Sequence, residues 1–320
     1  MAGTSIRSIK RRIRSVKSIE HITNAMKLVS AAKLRRAKNL FERVQEHLGY
    51  VTDSINELCA NVEEIPSHYL PDGREIGRTC YIVVASNRGL AGSYNTNIMK
   101  AAEREMQRRA ASEALKLPEK GEADGKGKPE GKADGKGEGR EDGRGKPLLV
   151  CIGGRARNYF SKRGYDVIAE YLSPPENVSF LEASELSKPI IELYDKGEVD
   201  EVVLVYTTFV STMEQRAVAE RLLPFEPNTK NKKTKKLLEY EPSAEEVFNY
   251  LVPKYAEIII YRAIVEAATC EHAARRMAMQ NATDNAREMI DNLELNFNRA
   301  RQAAITKEIT EIVSGADAIK

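Results

Sequence analysis

Two long stretches, one toward each end of the chain, place apolar residues every three or four positions, and the region between them does not. From Thr4 to Ile65 there is no proline and a single glycine, Gly49. Ile6, Ile9, Ile13 and Val16 step by three, four and three; Ile19, Ile22, Met26 and Val29 repeat the step after an offset of three; Leu48, Val51, Ile55, Leu58 and Val62 resume it. Such spacing lines one side of a helix, which at 1.5 Å per residue would reach on the order of 80 to 90 Å. Nothing globular needs a helix that long. At the far end Ser243 and Glu246 have capping-box spacing, Pro253 can mark a kink, and Lys254 to Ser314 holds neither proline nor glycine. Ile258, Val265, Met277, Ile290, Leu293, Phe297, Ile305, Ile309 and Ile312 form a looser stripe there. Two such helices around a compact middle predict an antiparallel coiled coil projecting from a globular body.

In the middle the period changes. Cys80 to Ala85, Leu148 to Ile152 and Val202 to Tyr206 read as buried strands, each followed by a Gly-bearing or polar turn. Helical patterns over Tyr94 to Leu117, Ala156 to Arg163 and Ala183 to Tyr194 alternate with them. That alternation predicts βαβ units and a small, mainly parallel, Rossmann-like sheet. Pro118 to Pro147 is different: nine Gly, eight Lys+Arg, eight Asp+Glu, no aromatic, and two copies of Ala-Asp-Gly-Lys-Gly. It has too little apolar surface to offset its ordering entropy and reads as a disordered surface insertion. The expected organisation is a coiled-coil helix over 1–65, an α/β domain over 78–224 containing the insertion 118–147, a loop over 225–242 and a second coiled-coil helix over 243–320. The fold class is α/β with a long antiparallel coiled coil.

Composition narrows the function. The 50 Lys+Arg against 47 Asp+Glu, a net charge of +3, exclude a uniformly basic chromatin-type protein and an acidic solvating chain. No apolar run approaches the roughly 18 residues that span a bilayer, so a membrane role is expected to be peripheral, without insertion. Cys59, Cys80, Cys151 and Cys270 lie far apart with no C-x-x-C pair, which argues against a zinc site or a disulfide scaffold. His21, His47, His68 and His272 lack ligand spacing.

The turn Asn87-Arg88-Gly89-Leu90-Ala91-Gly92 leaves a strand and opens a helix, where a phosphate could sit, yet it lacks G-x-G-x-x-G; Gly153-Gly154 is no better. There is no Walker loop, no G-x-S-x-G and no H-E-x-x-H. No catalytic residue, metal or cofactor is therefore expected on this chain. The strong local signal is charge: residues 1–40 hold eleven Lys+Arg against the single Glu20, and Arg7, Lys10, Arg11, Arg14 and Lys17 fall on a stripe beside the Ile6/Ile9/Ile13/Val16 seam. Such a stripe reads either as a solvated coiled-coil flank or as a contact for an acidic partner, nucleic acid or acidic protein loops. With Phe41 the one aromatic before Tyr50, base stacking has little to work with. A second basic run, Lys230, Lys232, Lys233, Lys235 and Lys236, reads as a solvated loop.

Several stretches resemble one family. Ile22 to Ala37 (ITNAMKLVSAAKLRRA), Ala85 to Asn95 (ASNRGLAGSYN), Leu222 to Pro224 with Tyr240 to Pro242, and Tyr255 to Ala316 with EHAARRMAMQNATDN and NRARQAAITKEITEIVSGA inside it are similar to the gamma subunit, the central rotor shaft, of rotary F-type ATP synthases. With the element order they cover the chain apart from Pro118 to Pro147, which departs from the family pattern. The resemblance implies a shaft turning inside a hexamer of alpha and beta subunits, on a membrane rotor ring of c subunits, with the epsilon subunit bound to its body. It implies no nucleic acid, no cofactor, and a peripheral place at the cytoplasmic face of the bacterial plasma membrane. It further implies that Arg301, Gln302 and Thr306 meet a loop of a catalytic subunit, that Met26 and Lys27 face the acidic lever loops, and that Ile309, Ile312 and Val313 form an apolar bearing tip. A basic coiled-coil nucleic-acid binder would instead show salt-sensitive duplex binding, and a Rossmann-type oxidoreductase nicotinamide binding at the Gly89/Gly92 turn.

Overall fold

A computed structural model describes residues 2–62, 65–71, 76–114, 146–171, 178–227 and 239–317. In chain order its elements are α1 (Ala2–Asn61), β1 (Thr79–Val84), α2 (Tyr94–Ala114), β2 (Leu148–Ile152), α3 (Gly154–Ser161), β3 (Asp166–Tyr171), α4 (Phe180–Asp195), β4 (Glu201–Phe209), β5 (Gln215–Leu223) and α5 (Ala244–Asp317). The insertion expected over Pro118 to Pro147 lies outside the described residues up to position 145, as does the basic run Lys230 to Lys236.

The sheet has the order β3-β2-β1-β4-β5. β1 pairs in parallel with β2 and β4, β2 in parallel with β3, and β4 antiparallel with β5. The three strands read from the sequence are the inner ones, covered on both faces and hence unbroken apolar runs. The two strands the sequence did not suggest are the edges. β3 (DVIAEY) and β5 (QRAVAERLL) are half exposed and bear charges, so neither carries the apolar run of an inner strand.

Alternate residues of the inner strands feed two cores. Ile82, Val150 and Leu204 pack with α4, the end of α1 (Ile55, Leu58) and the first half of α5 (Phe248, Val252, Ile260, Ile264). Tyr81, Leu149 and Val203 pack with α2 and α3 through Ile98, Ala102 and Phe160. α4 starts with a full capping box: the Ser179 hydroxyl accepts from Glu182 N at 3.3 Å, and Glu182 Oε2 accepts from Ser179 N at 2.7 Å. The Ser243 hydroxyl likewise accepts from Glu246 N at 3.1 Å, and α5 then runs through Pro253 as one helix.

α1 and α5 leave the body together and antiparallel. Gln45 meets Arg262, Thr23 meets Thr283, Glu20 meets Arg287 and Lys17 meets Glu294, so one number falls as the other rises. On α5 the covered positions beyond the body are Met279, Thr283, Ala286, Ile290, Leu293, Phe297, Ala300 and Ala304, alternating steps of four and three. On α1 the buried positions Val16, Thr23, Ser30, Ala37 and Val44 are seven apart. Both patterns average 3.5 residues per turn, the repeat of a left-handed coiled coil. At 1.5 Å per residue, the 60 residues of α1 span about 90 Å and the 74 of α5 about 110 Å.

Candidate functional site

The seam corrects one expectation. Ile6, Ile9, Ile13 and Val16 do face α5, but Ile19, Ile22 and Val29 do not: they are 49%, 57% and 56% exposed. The three-residue offset between the two apolar runs turns the second run out of the interface. A step of seven from Val16 lands on Thr23 and Ser30, and these small polar residues take the buried places. Thr283 Oγ1 lies 2.9 Å from Thr23 Oγ1 and 2.7 Å from the Met279 carbonyl, so the buried hydroxyls are satisfied. The shaft is thus partly inverted, with polar groups inside and an apolar stripe outside.

Its far end is more exposed still. All ten side chains from Ile305 to Ser314 are open to solvent, among them Ile305, Ile309, Ile312 and Val313. Arg301, Gln302 and Thr306 are exposed just before or within this stretch, the Thr306 hydroxyl donating to the Gln302 carbonyl at 2.9 Å. Met26 and Lys27 are half buried on α1, level with about residue 280 of α5 by the Thr23–Thr283 register. About twenty residues at 1.5 Å put them roughly 30 Å along the shaft from Arg301. These residues therefore form two stations, an upper one on α5 and a lower one on α1, rather than one cluster.

The basic stripe is exposed throughout, and the register places Arg7 and Lys10 level with Arg301. One member is spoken for: Lys17 Nζ lies 2.9 Å from Glu294 Oε1 across the seam. Arg287 pairs in the same way with Glu20 at 3.1 Å. The stripe is a coiled-coil flank at Lys17; Arg7, Lys10, Arg11 and Arg14 project from the upper shaft.

The glycine turn after β1 is packed against α5. Asn87 Oδ1 accepts from Gly154 N at 2.6 Å, Asn95 Oδ1 accepts from Ser86 N at 3.1 Å, and Arg275 Nη2 donates to Gly89 O at 3.3 Å. Gly92 has φ +57°, which an L side chain rarely adopts, and its position faces Ala278 of α5. The gap left beside the turn is about 240 Å³, below the roughly 300 to 1,000 Å³ of small-molecule sites. A larger groove of about 790 Å³ lies between α4 and β2–β3, with Leu186 and Ile190 in its floor and Glu185 and Glu198 on its rim. It does not touch the turn.

Where α5 crosses the sheet it carries buried charge that the sequence did not single out. Glu266 Oε1 accepts from Phe209 N at 2.9 Å, and Oε2 lies 3.3 Å from Arg262 Nη2. Burial pushes the Glu266 carboxyl above its ordinary range, against the lowering effect of the Phe209 N–H and of Arg262. The spacing of Arg262 and Glu266, four apart on a helix, was the one signal available. No helix among the described residues is long and apolar enough to cross a membrane.

Comparison with known proteins bears on this geometry. A family model described as ATP synthase matches residues 5–123 and 131–319. The ATP synthase gamma chain of Alkaliphilus metalliredigens is 41% identical over 99% of this chain and its own whole length. That of Desulforamulus reducens is 40% identical over 99% of both chains. The sodium ion specific ATP synthase gamma chain of Acetobacterium woodii is 35% identical over 98% of this chain and 99% of its own. Among solved structures, a chain of the Euglena gracilis mitochondrial ATP synthase, in an OSCP/F1/c-ring assembly, shares the fold with a TM-score of 0.64. It is 18% identical, over 99% of this chain and 95% of that one. A chain of the Tetrahymena thermophila mitochondrial ATP synthase central stalk and c-ring gives 0.54 at 22% identity, over 82% of this chain and 99% of that one.

Proposed function

This chain belongs to the family of ATP synthase gamma chains, and we propose that it is the central shaft of a rotary ATP synthase. It is a subunit of that complex. Its coiled coil turns within a hexamer of alpha and beta subunits, its α/β body stands on the membrane ring of c subunits, and the small epsilon subunit binds the body. Ion flow through the ring turns the shaft, and off-axis contacts of the shaft open and close the catalytic sites in sequence. Nucleotide chemistry belongs to the partners, in keeping with the missing Walker loop. The chain is peripheral, held at the cytoplasmic face of a bacterial plasma membrane through the ring.

The observation that carries this reading is the inverted shaft. Ile19, Ile22 and Val29 on α1, and Ile309, Ile312 and Val313 on α5, leave apolar surface facing outward on a rod too long to be covered by its own body. A contiguous apolar surface marks a partner. Apolar contacts are also nondirectional, so a rod can turn against an apolar collar without breaking a series of bonds. Directional contacts are needed where force is transmitted. The exposed guanidinium of Arg301, with Gln302 and Thr306, supports an upper contact with a loop of a catalytic subunit. Met26 and Lys27 supply the lower contact, toward acidic lever loops, and Arg7, Lys10, Arg11 and Arg14 add a positive flank that favours acidic protein loops.

The test is assembly and pumping. Complexes reconstituted into vesicles with this chain should pump protons or sodium ions on ATP addition, and complexes lacking it should not. The triple variant Ile19→Ser, Ile22→Ser, Val29→Ser should keep its helical circular dichroism while incorporating poorly. Full incorporation and full pumping by that variant would remove the outward stripe from the partner interface.

A further inference from the structure

If the body receives torque and the coiled coil delivers it, the two must be locked in rotation where they join. This follows from the shaft reading and goes one step past it. The apolar part of the join is poorly suited to the task. Ala263, Ile264, Ala267 and Ala268 of α5 are buried against the body, and such nondirectional contacts, though they fix which face is buried, do not hold a rotation sharply. Hydrogen bonds do, because they weaken steeply off line.

Such bonds tie α5 to the body at Glu257, Ala267 and Arg275, and three more occur on one ridge that faces β4. Arg262, Glu266 and Cys270 are spaced by four, so they share a face. All three are tied to β4: Arg262 Nη2 donates to Tyr206 Oη, Glu266 Oε1 accepts from Phe209 N at 2.9 Å, and Cys270 Sγ donates to Thr207 O at 3.3 Å. Arg262 also reaches the other two partners of the join. Its Nη1 donates to Gln45 Oε1 of α1 at 3.5 Å, and Nη2 lies 4.0 Å from Glu220 Oε2 of β5, which accepts from Tyr206 Oη at 3.0 Å. Glu266, 3.3 Å from the same guanidinium, holds Arg262 in place from within the helix. One cluster, buried at Glu266 and opening to solvent at Gln45 and Glu220, thus touches both shaft helices and the antiparallel edge of the sheet.

We propose that Glu266 and Arg262 are positioning residues that lock the shaft in rotation to the α/β body, so that torque entering the body reaches the coiled coil without slip. Stability alone does not require this arrangement, since an apolar pair of similar volume would fill the same space. A lock needs directional bonds to elements that would otherwise turn past one another.

The test compares the parent chain with Glu266→Gln, Glu266→Leu and Arg262→Met in complexes reconstituted into vesicles. Ions pumped per ATP hydrolysed are read at measured incorporation, with thermal unfolding of each free chain alongside. Because charge-assisted bonds are stronger than neutral ones, losing them in Glu266→Leu should lower the pumping ratio by about threefold or more while hydrolysis continues. Glu266→Gln, whose amide oxygen still accepts from Phe209 N, should keep most of the ratio, and Arg262→Met should fall between. A parent-like ratio in Glu266→Leu at equal incorporation would overturn the lock, whatever happens to thermal stability. If Glu266→Leu fails to incorporate, Arg262→Met decides, since it keeps an apolar stem of similar length: a parent-like ratio there overturns the proposal. Absence of ATP-driven pumping with the parent chain would bring down the shaft reading itself, and the lock with it.

Discussion

α5 lives in two environments along one unbroken helix. From Ala263 to Ala273 every side chain is buried, enclosed by the sheet, α1 and the helix's other neighbours, and small residues dominate. From Met289 to Ser314 no side chain is fully buried, and those from Ile305 onward are all exposed. The lower segment is stabilised by its own chain. The upper one has a two-helix seam at best, and its apolar outer surface is left uncovered by its own chain. Substitutions should therefore read differently in the two segments: as loss of fold in the body, and as loss of assembly or coupling in the shaft.

The sharpest way to break that contrast is a matched pair of truncations. Ile264→Ala removes a side chain that is 0% exposed and should cost the free chain about 2 to 5 kcal/mol. Ile312→Ala, at 71% exposed, should stay within about 0.5 kcal/mol. Urea unfolding followed by circular dichroism measures both, and equal losses would mean the upper segment is buried in the free chain too.

Next comes Arg301→Ala with Gln302→Ala. The free chain should unfold as the parent does, whereas binding and pumping in the assembled complex should lose about 2 kcal/mol, the size of an interfacial hot spot. Parent-like pumping at equal assembly would leave these residues as ordinary helix surface.

A smaller effect is expected in the seam. Thr283→Val removes a hydroxyl that is 2.9 Å from Thr23 Oγ1 and 2.7 Å from the Met279 carbonyl, and losing these neutral contacts should cost about 1 to 2 kcal/mol. The double variant with Thr23→Val should recover most of it, because both partners become apolar and of the same shape. A double variant as unstable as the sum of the singles would show that the two hydroxyls do not interact.

The least perturbing probe is thiol reactivity. Burial pushes the Cys59 thiol up to about 11 and the Cys80 and Cys151 thiols up to about 12, so each is almost wholly protonated near neutral pH. Alkylation of the folded chain should be slow at all of them and fastest at half-buried Cys59. It should speed up as pH rises and become uniform in urea. Rapid labelling of Cys80 or Cys151 at neutral pH would mean the body opens more readily than its packing implies.

Much of this contrast was written in the chain order. Two glycine- and proline-poor terminal stretches with helical spacing had to form long helices, and three apolar runs before turns had to be inner strands, because periodicity and backbone chemistry act locally. The motifs ITNAMKLVSAAKLRRA and NRARQAAITKEITEIVSGA likewise pointed to the family before any fold was known. Other features depended on what lies alongside. β3 and β5 are strands because an inner strand offers each an edge, and their own residues announce little. Ile19, Ile22 and Val29 repeat the helical step of a seam yet face outward, because α5 sets the seven-residue phase and that phase selects Thr23 and Ser30. Arg262 and Glu266 become a junction only once Phe209, Tyr206 and Gln45 are brought to them. A sequence determines which residues can share a helix face; which face is buried is decided by the partner element, since burial is a property of pairs of surfaces.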